Sequence, residues 1–251
     1  MKIQFIISAL VSAFLATSAH AAALKNSCAD LPNYNQLKTV ITDATAQKNG
    51  GFSLPMWGTV VDRSGIVCAV AYTGATNDAQ WPGSRVISAQ KANTANAFSL
   101  VGLALSTANL YSAVQPGGSL FGLQASNPVD TNVAYAGNAE NFGSKADPMV
   151  GKRIGGVNVF GGGLALYNEK GAIVGAIGVS GDSSCADHNI AWRARKTLKL
   201  DYVPAGVAAD KSDQIIFDIK DGKSAGGFGH PVCAGTENEI AKNLEAVSIK
   251  K

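Results

Sequence analysis

The stretch of sequence that decides the fold is Thr59–Val70, which reads TVVDRSGIVCAV. Two runs rich in β-branched residues are separated in it by Asp62 and Gly65, and this spacing is typical of a short β-hairpin. The same pattern returns at Leu164–Val179, which reads LALYNEKGAIVGAIGV. Because each hairpin contributes two strands, the chain is predicted to contain at least four antiparallel strands.

Two helices are predicted before the second hairpin. The first begins near Asp30 and Pro32, which favour a helix start, and it stops at the Asn-Gly-Gly run 49–51. The second begins at Ser84 and ends near Val101, and its many alanines would let it pack closely on a sheet. The residues predicted to face inward are Leu37, Val40, Ile41 and Ala44 in the first helix and Ile87, Ala97, Phe98 and Val101 in the second.

The remaining elements lie on either side of the second hairpin. Residues 114–157 are rich in Gly, Asn and Pro without a clear period, which is typical of a lid, a binding loop or a subunit contact. A third helix is predicted from a capping box at Ser184–Asp187 to about Leu200, and a last strand at Gln214–Ile219. This order of elements predicts an α+β fold, an antiparallel β-sheet flanked by α-helices.

Composition limits the classes of function. Charged residues make up only 16% of the chain, the formal net charge is +3, and no block of like charges occurs. A nucleic-acid partner is therefore not expected. The 28 glycines favour tight turns.

The first 21 residues have the features of a secretory signal peptide. Lys2 is followed by an apolar run over Ile3–Ala16 and then by the small residues Ala19 and Ala21, the pattern that signal peptidase cleaves. The apolar run is shorter than the about 20 residues that a membrane-spanning helix needs. We therefore expect export to the periplasm or the medium, no stable membrane insertion, and a single domain over residues 22–251.

The cysteines predict two disulfides. Four of them follow the predicted signal peptide, at Cys28, Cys68, Cys185 and Cys233. An even number in an oxidising compartment indicates disulfides, although four cysteines allow three connectivities. Of these we expect Cys28 with Cys68 and Cys185 with Cys233.

Several short motifs together resemble the GlcG/HbpS-like haem-binding family. They are Val60–Gly65, Lys91-Ala92, Leu120–Leu123, Ser126–Pro128, Gly161–Leu164 and Gly175–Gly181. The resemblance covers about residues 55–200 and implies a profilin-like sheet with helices on its faces, homo-oligomerisation, and roles linked to haem or corrinoids. It carries over no axial ligand, because the family does not share one. Two segments depart from the shorter members, an insertion at about 126–157 and an extension after about Leu200.

Two histidines follow the predicted signal peptide, and they have mirrored settings. Cys185–His188 reads CADH and His230–Cys233 reads HPVC. Three interpretations stay open: a structural disulfide with incidental histidines, a haem or metal site that uses His188 or His230, and a zinc site of two thiolates and two imidazoles. Asp187 is interpreted as a helix cap.

A bound haem needs an apolar slot, an axial donor and cations for its propionates. Lys91 and Arg85 are the preferred cations, because the resemblance places their helix beside the glycine-rich strands. Tyr34 and Met56 could reach iron, although a core or surface role suits both. The run Gly161–Gly163 either lets a flat ligand approach the backbone or forms a sharp turn. The other arginines considered as propionate partners are Arg153, Arg193 and Arg195.

The sequence favours a binding protein over an enzyme. It contains no nucleotide-binding loop, serine-hydrolase elbow or zincin motif. Asp187 and His188, adjacent on one helix, point too far apart to complete a triad with Ser180. The leading hypothesis is an exported protein that binds haem or a related planar cofactor for storage, delivery or sensing. The alternatives are a periplasmic enzyme or accessory subunit acting on a small organic acid or aldehyde, and a structural oligomer or partner-binding module.

Overall fold

The computed structural model describes residues 28–248, so the predicted signal peptide at residues 1–21 lies outside the described part. Four strands form one antiparallel sheet in the spatial order β2-β1-β4-β3, and two short strands form a separate ribbon. The strands are β1 (Trp57–Asp62), β2 (Val67–Tyr72), β3 (Gly163–Tyr167), β4 (Ile173–Ser180), β5 (Ile219–Lys220) and β6 (Lys223–Ser224). The helices are α1 (Tyr34–Thr45), α2 (Ser84–Phe98), α3 (Leu123–Ser126), α4 (Thr131–Ala134), α5 (Ser184–Thr197) and α6 (Glu237–Lys242). The predicted α+β fold, an antiparallel sheet flanked by helices, is confirmed.

Both predicted hairpins are present, and each turn is held by one side chain. The Asp62 carboxylate accepts hydrogen bonds from the backbone N–H groups of Ser64 and Ile66 at 2.8 and 2.9 Å. In the second hairpin the side-chain oxygen of Asn168 accepts hydrogen bonds from the backbone N–H groups of Lys170 and Ala172 at 3.0 and 3.1 Å. The side chain that holds this turn is therefore that of Asn168.

The sheet has a hydrophobic cluster on each face. Because side chains alternate along a strand, Val60 and Ile177 join the cluster formed with α1 and α5. Val61 and Ala176 join the opposite cluster, which is formed with α2. The helices α2 and α5 thus lie on opposite faces of the sheet, and β4 lies between them.

Helix α2 packs closely on the sheet, as its alanines predict, but with a different face from the one expected. A Cβ added to Gly178 of β4 would collide with the backbone of Ser88 and Ala92. Only small side chains fit at such a close crossing, and the buried positions of α2 include Ser88, Ala89, Ala92 and Ala95. The prediction that Ile87, Ala97, Phe98 and Val101 face inward is wrong for Ala97 and Val101, which are exposed, while Ile87 and Phe98 are half-buried.

Two helix starts differ from the predictions. The N-cap of α1 is Asn33, which forms a capping box with Gln36, because Asp30 belongs to a separate 3-10 helix. The N-cap of α5 is Ser183, one residue before the predicted box. The predicted inward face of α1 is confirmed, with Leu37, Val40, Ile41 and Ala44 all buried.

The strand predicted at Gln214–Ile219 is wrong over most of its length, and only Ile219 becomes part of β5. The carbonyl of Gln214 accepts from the Asn109 side chain at 3.0 Å, and that of Ile216 accepts from the His230 N–H at 2.7 Å. These bonds hold the segment in an irregular conformation, without the hydrogen-bond ladder of a β-sheet.

Both predicted disulfides are confirmed. Cys28 and Cys68 are joined with an S–S distance of 1.97 Å, and Cys185 and Cys233 with one of 2.06 Å. The first bond ties the start of the described chain to β2, and the second ties the start of α5 to the C-terminal extension. No helix between residues 28 and 248 is long and apolar enough to cross a bilayer.

Candidate functional site

Lys91 of α2 and Asp187 of α5 form the polar centre of the molecule, next to the end of β4. Lys91 Nζ donates to Asp187 Oδ2 at 2.7 Å and to the carbonyl of Val179 in β4 at 3.2 Å. The two side chains are 1% and 2% exposed. A charge pair this deeply buried is stable only when both of its members also have hydrogen-bond partners. The side chain of Lys91 therefore holds α2, β4 and α5 together.

Asp187 has a second role beside its ion pair. Its Oδ1 accepts from the backbone N–H of Asp182 at 2.9 Å, just before α5 begins. Burial raises the pKa of the Asp187 carboxyl to about 6, against the opposing effect of the Lys91 charge. Ser183 is the N-cap, so the prediction that Asp187 caps the helix is replaced by a bridge between Lys91 and the turn before α5.

The run Gly161–Gly163 lies against this centre. A Cβ at Gly162, whose φ is +120°, would meet the carbonyl of Val179, the Asp187 side chain and Lys91 Nζ. A Cβ at Gly163 would meet the backbone of Lys91. Of the two interpretations, the structure therefore shows a sharp, tightly packed turn into β3.

His188 points away from this centre, towards the C-terminal extension. Its Nε2 lies 2.8 Å from Gln214 Oε1, and its Nδ1 has no hydrogen-bond partner among residues 28–248. The side chain is fully buried, and burial lowers its pKa to about 3. His188 is therefore a neutral imidazole at physiological pH.

His230 lies beside the Cys185–Cys233 disulfide and is 1% exposed. Its Nδ1 lies 2.8 Å from the carbonyl of Pro231, which assigns the ring proton to Nδ1. Its Nε2 can then accept from the Gly161 N–H at 3.4 Å and from Ser184 Oγ at 3.3 Å. Burial is the main cause that lowers the pKa of His230 to about 4.

The zinc interpretation is wrong. The sulfurs of Cys185 and Cys233 are bonded to one another, so neither is a thiolate. Within the described chain no group of three or more His, Cys, Asp or Glu residues could hold a metal ion. The predicted disulfide with His188 and His230 in its neighbourhood is what the structure contains.

Arg85 fastens the insertion to α2. Its Nε and Nη2 bind the two carboxylate oxygens of Asp147 at 2.8 and 2.6 Å, and Nη1 donates to the carbonyl of Ala134 at 2.8 Å. The guanidinium also lies 3.7 Å from the centre of the Phe142 ring. All three nitrogens of Arg85 are thus engaged by residues 134–147.

The other residues considered for a haem site have structural contacts. Arg195 pairs with Asp213 of the extension at 2.7 Å, with both side chains fully buried. Met56 belongs to the cluster under α1, and Tyr34 packs against that cluster. Arg193 donates to residues 47–49, and Arg153 to the carbonyl of Ser64.

A cleft of about 700 Å³ opens between the segments Tyr111–Gly118 and Ile219–Pro231, and we call it the Tyr111 cleft. Its walls include Tyr111, Ser112, Pro116, Ile219, Lys223 and Pro231. The Tyr111 ring packs on the ring of His230, with 5.3 Å between centroids, and Ser112 Oγ donates to the carbonyl of Gly229 at 2.6 Å. The disulfide and His230 thus lie directly behind one wall.

Sequence reasoning missed the Tyr111 cleft. Its two walls are about a hundred residues apart in the chain, and one of them belongs to the extension. The available signal was the pair of turn-rich segments, QPGG at 115–118 and the glycines after Ile219. Neither segment predicts that it meets the other.

Comparisons with known proteins identify the family of this chain. A family model described as haem degrading protein HbpS-like matches residues 33–196, which stops before the extension. No curated protein matches the chain. Among solved structures, a PduOC–haem complex is 24% identical, covering 64% of this chain and 88% of that one, with a TM-score of 0.45.

Two further structures are similar. The protein OrfY of Klebsiella pneumoniae is 25% identical, covering 65% of this chain and 86% of that one, with a TM-score of 0.43. A double mutant of HbpS from Streptomyces reticuli is 18% identical, covering 77% and 99%, also with a TM-score of 0.43. Because the family model covers well over half of the chain, including all four strands of the sheet, this chain belongs to the HbpS-like family.

Proposed function

We propose that this protein binds haem or a related planar cofactor in the Tyr111 cleft, and that it acts as an exported protein in storage, delivery or sensing. The observation that carries the proposal is the cleft itself. Its volume of about 700 Å³ lies within the range of small-molecule sites, roughly 300–1,000 Å³. The description of its family as haem degrading supports haem as the ligand.

The chemistry of the cleft walls suits this ligand. Pro116, Ile219 and Pro231 offer apolar surface to a flat macrocycle. Lys223 offers a cation for a propionate, and it forms no ion pair with any residue between 28 and 248. Haem would supply a redox-active iron there, and the protein would bind it, orient it and exclude water from one face.

The residues predicted from the sequence would act indirectly in this proposal. His230 packs on Tyr111 and would fix the orientation of that ring. Lys91 binds Asp187 and would keep the start of α5 in place. His188 and Arg85 would hold the extension and the insertion. A direct contact of any of the four with a cofactor stays a prediction.

Export and self-association are part of the proposal. All four cysteines are disulfide-bonded, which supports an oxidising compartment. The family resemblance supports homo-oligomerisation. Cell fractionation and light scattering of the purified mature chain test these two points.

A haemin titration of residues 22–251 tests ligand binding. A saturable Soret shift is expected, and a linear response without saturation would contradict the proposal. Lys223→Glu should weaken binding severalfold at low salt, because the new carboxylate repels the propionates. Lys170→Glu is the matched control, since Lys170 is exposed in the turn between β3 and β4 and does not line the cleft. Equal weakening by both variants would place the propionates elsewhere.

A further inference from the structure

We infer that the side chain of Tyr111 is the iron ligand in the Tyr111 cleft, an inference that rests on the proposed function. The common axial ligands of haem iron are the side chains of His, Cys, Met and Tyr. Of the thirteen described residues that line the cleft, Tyr111 alone belongs to that set. The donor chemistry of the walls therefore points to a phenolate oxygen.

Neither His188 nor His230 lines the cleft. His230 is 1% exposed, and both of its nitrogens have hydrogen-bond partners in the surrounding backbone and Ser184. His188 is fully buried and faces Gln214. Either histidine would have to break these contacts and leave the interior before it could reach a ligand.

The sulfur donors are withdrawn as well. All four cysteines are consumed by the two disulfides, so no thiolate is present in the oxidised protein. Met56 and Met149 are fully buried in the two clusters on either face of the sheet. Tyr111 is thus the donor that needs no rearrangement of the core.

Tyr111 is both held and available. It directly follows the 3-10 helix Thr107–Leu110, and its backbone N–H bonds to the carbonyl of Ala108 at 3.2 Å. Its half-buried ring packs on the fixed ring of His230, tilted by 55°. The phenol hydroxyl makes no hydrogen bond to any of the residues that the structure describes.

Ligation of ferric iron by Tyr111 has a simple balance. The phenol O–H bond breaks, its proton passes to solvent, and the phenolate oxygen forms the bond to iron. The iron remains ferric, so no oxidant or reductant is needed. His230 is a positioning residue here, because it contacts the ring of Tyr111 and would not bind the iron itself.

Haemin titrations of the wild type, Tyr111→Phe and Tyr135→Phe test this inference. Tyr111→Phe keeps the ring that packs on His230 and removes only the oxygen. Tyr135 is 64% exposed on the insertion and does not line the cleft, so Tyr135→Phe is the matched control. The readouts are the tyrosinate-to-iron charge-transfer absorption, the resonance Raman bands of bound tyrosinate and the dissociation constant.

We expect the tyrosinate signature in the wild type and in Tyr135→Phe. In Tyr111→Phe this signature should vanish, and haemin binding should weaken by at least about tenfold. Mutation of a residue that only orients a metal ligand already weakens metal binding by about that factor. A Tyr111→His variant should bind haemin with an imidazole spectrum in place of the tyrosinate one. Circular dichroism checks that each variant is folded.

The outcomes separate this inference from the proposed function. If the wild type shows no saturable binding, the proposed function fails and the inference fails with it. If the wild type binds haemin while Tyr111→Phe keeps the same spectrum and affinity, haem binding stands and the assignment of Tyr111 is overturned.

Discussion

Lys91 and Asp187 form an ion pair inside the protein, with 2.7 Å between Nζ and Oδ2 and neither side chain more than 2% exposed. They come from helices on opposite faces of the sheet, and they meet next to the end of β4 at Val179. The pair therefore links the two helical layers through the interior, where the backbone of the Gly161–Gly163 turn closes over it.

The first prediction concerns removal of one member of this pair. Lys91→Met should lower the free energy of unfolding by about 3–5 kcal/mol, because the buried carboxyl of Asp187 would lose its partner. Urea unfolding measures the loss. The double variant Lys91→Met with Asp187→Leu should recover much of it. Lys242→Met, which breaks the exposed pair with Glu239, should cost less than about 1 kcal/mol. Equal effects of the two single variants would argue against a structural role for the buried pair.

The second prediction concerns pH. His188 and His230 have pKa values of about 3 and about 4 in the folded protein, below the usual 6.5, chiefly because of burial. Between these folded-state pKa values and 6.5, the unfolded chain binds more protons than the folded protein. The free energy of unfolding should therefore fall as the pH drops from 6.5 through that window. Asp187 opposes this trend, because its raised pKa of about 6 lets the folded protein take up a proton above the usual 3.8.

The two histidines should outweigh the single carboxyl, so the melting temperature should fall from about pH 6.5 towards pH 4. Thermal unfolding monitored by circular dichroism at a series of pH values checks this. His230→Gln removes one of the two groups and should flatten the slope. A melting temperature that rises on acidification would mean that Asp187 dominates.

The third prediction concerns the insertion. Arg85→Met should leave Asp147 buried without its partner and free the segment 134–147 to open. Hydrogen exchange in that segment should accelerate by about a hundredfold to a few thousandfold, the factor that corresponds to the roughly 3–5 kcal/mol lost when a buried pair is broken. Arg85→Lys should not restore protection, because one ammonium cannot make the two-pronged contact. Arg153→Met is the control, since Arg153 donates to Ser64 at the surface. Unchanged exchange in Arg85→Met would show that other contacts hold the insertion.

The fourth prediction separates the two disulfides. Replacing Cys185 and Cys233 by alanine should lower stability by about 2–4 kcal/mol and also weaken haemin binding, because Pro231 in the cleft wall loses its nearby anchor. Replacing Cys28 and Cys68 should lower stability by a similar amount and leave haemin affinity unchanged, since that bond lies at β2. Calorimetry and titration of both variants give the answer. Weaker binding in both would trace the effect to general loosening of the fold.

The sheet was predictable because its signals are local. Asp62 and Gly65 mark a turn within four residues. The inward face of α2 was not predictable in the same way. It depends on Gly178, which lies more than seventy residues further along and admits only small side chains opposite it.

The site was harder to predict than the fold. The histidine motifs correctly predicted a shared neighbourhood near the disulfide, yet His188 and His230 face different partners, Gln214 and Pro231. Tyr111 carries no motif at all. Its importance depends on which segment of the extension comes to lie opposite it, and that is decided by hydrogen bonds such as the one from Ser112 to Gly229.

The buried pair of Arg195 and Asp213 sets a limit on how this protein can be shortened. The family match ends at residue 196, so a chain cut near residue 200 would look like a complete minimal domain. It would retain Arg195 and lose Asp213, and so leave the guanidinium without its carboxylate partner. The extension thus supplies the counter-charge of Arg195, and a trimmed design must allow at position 195 for the loss of that carboxylate.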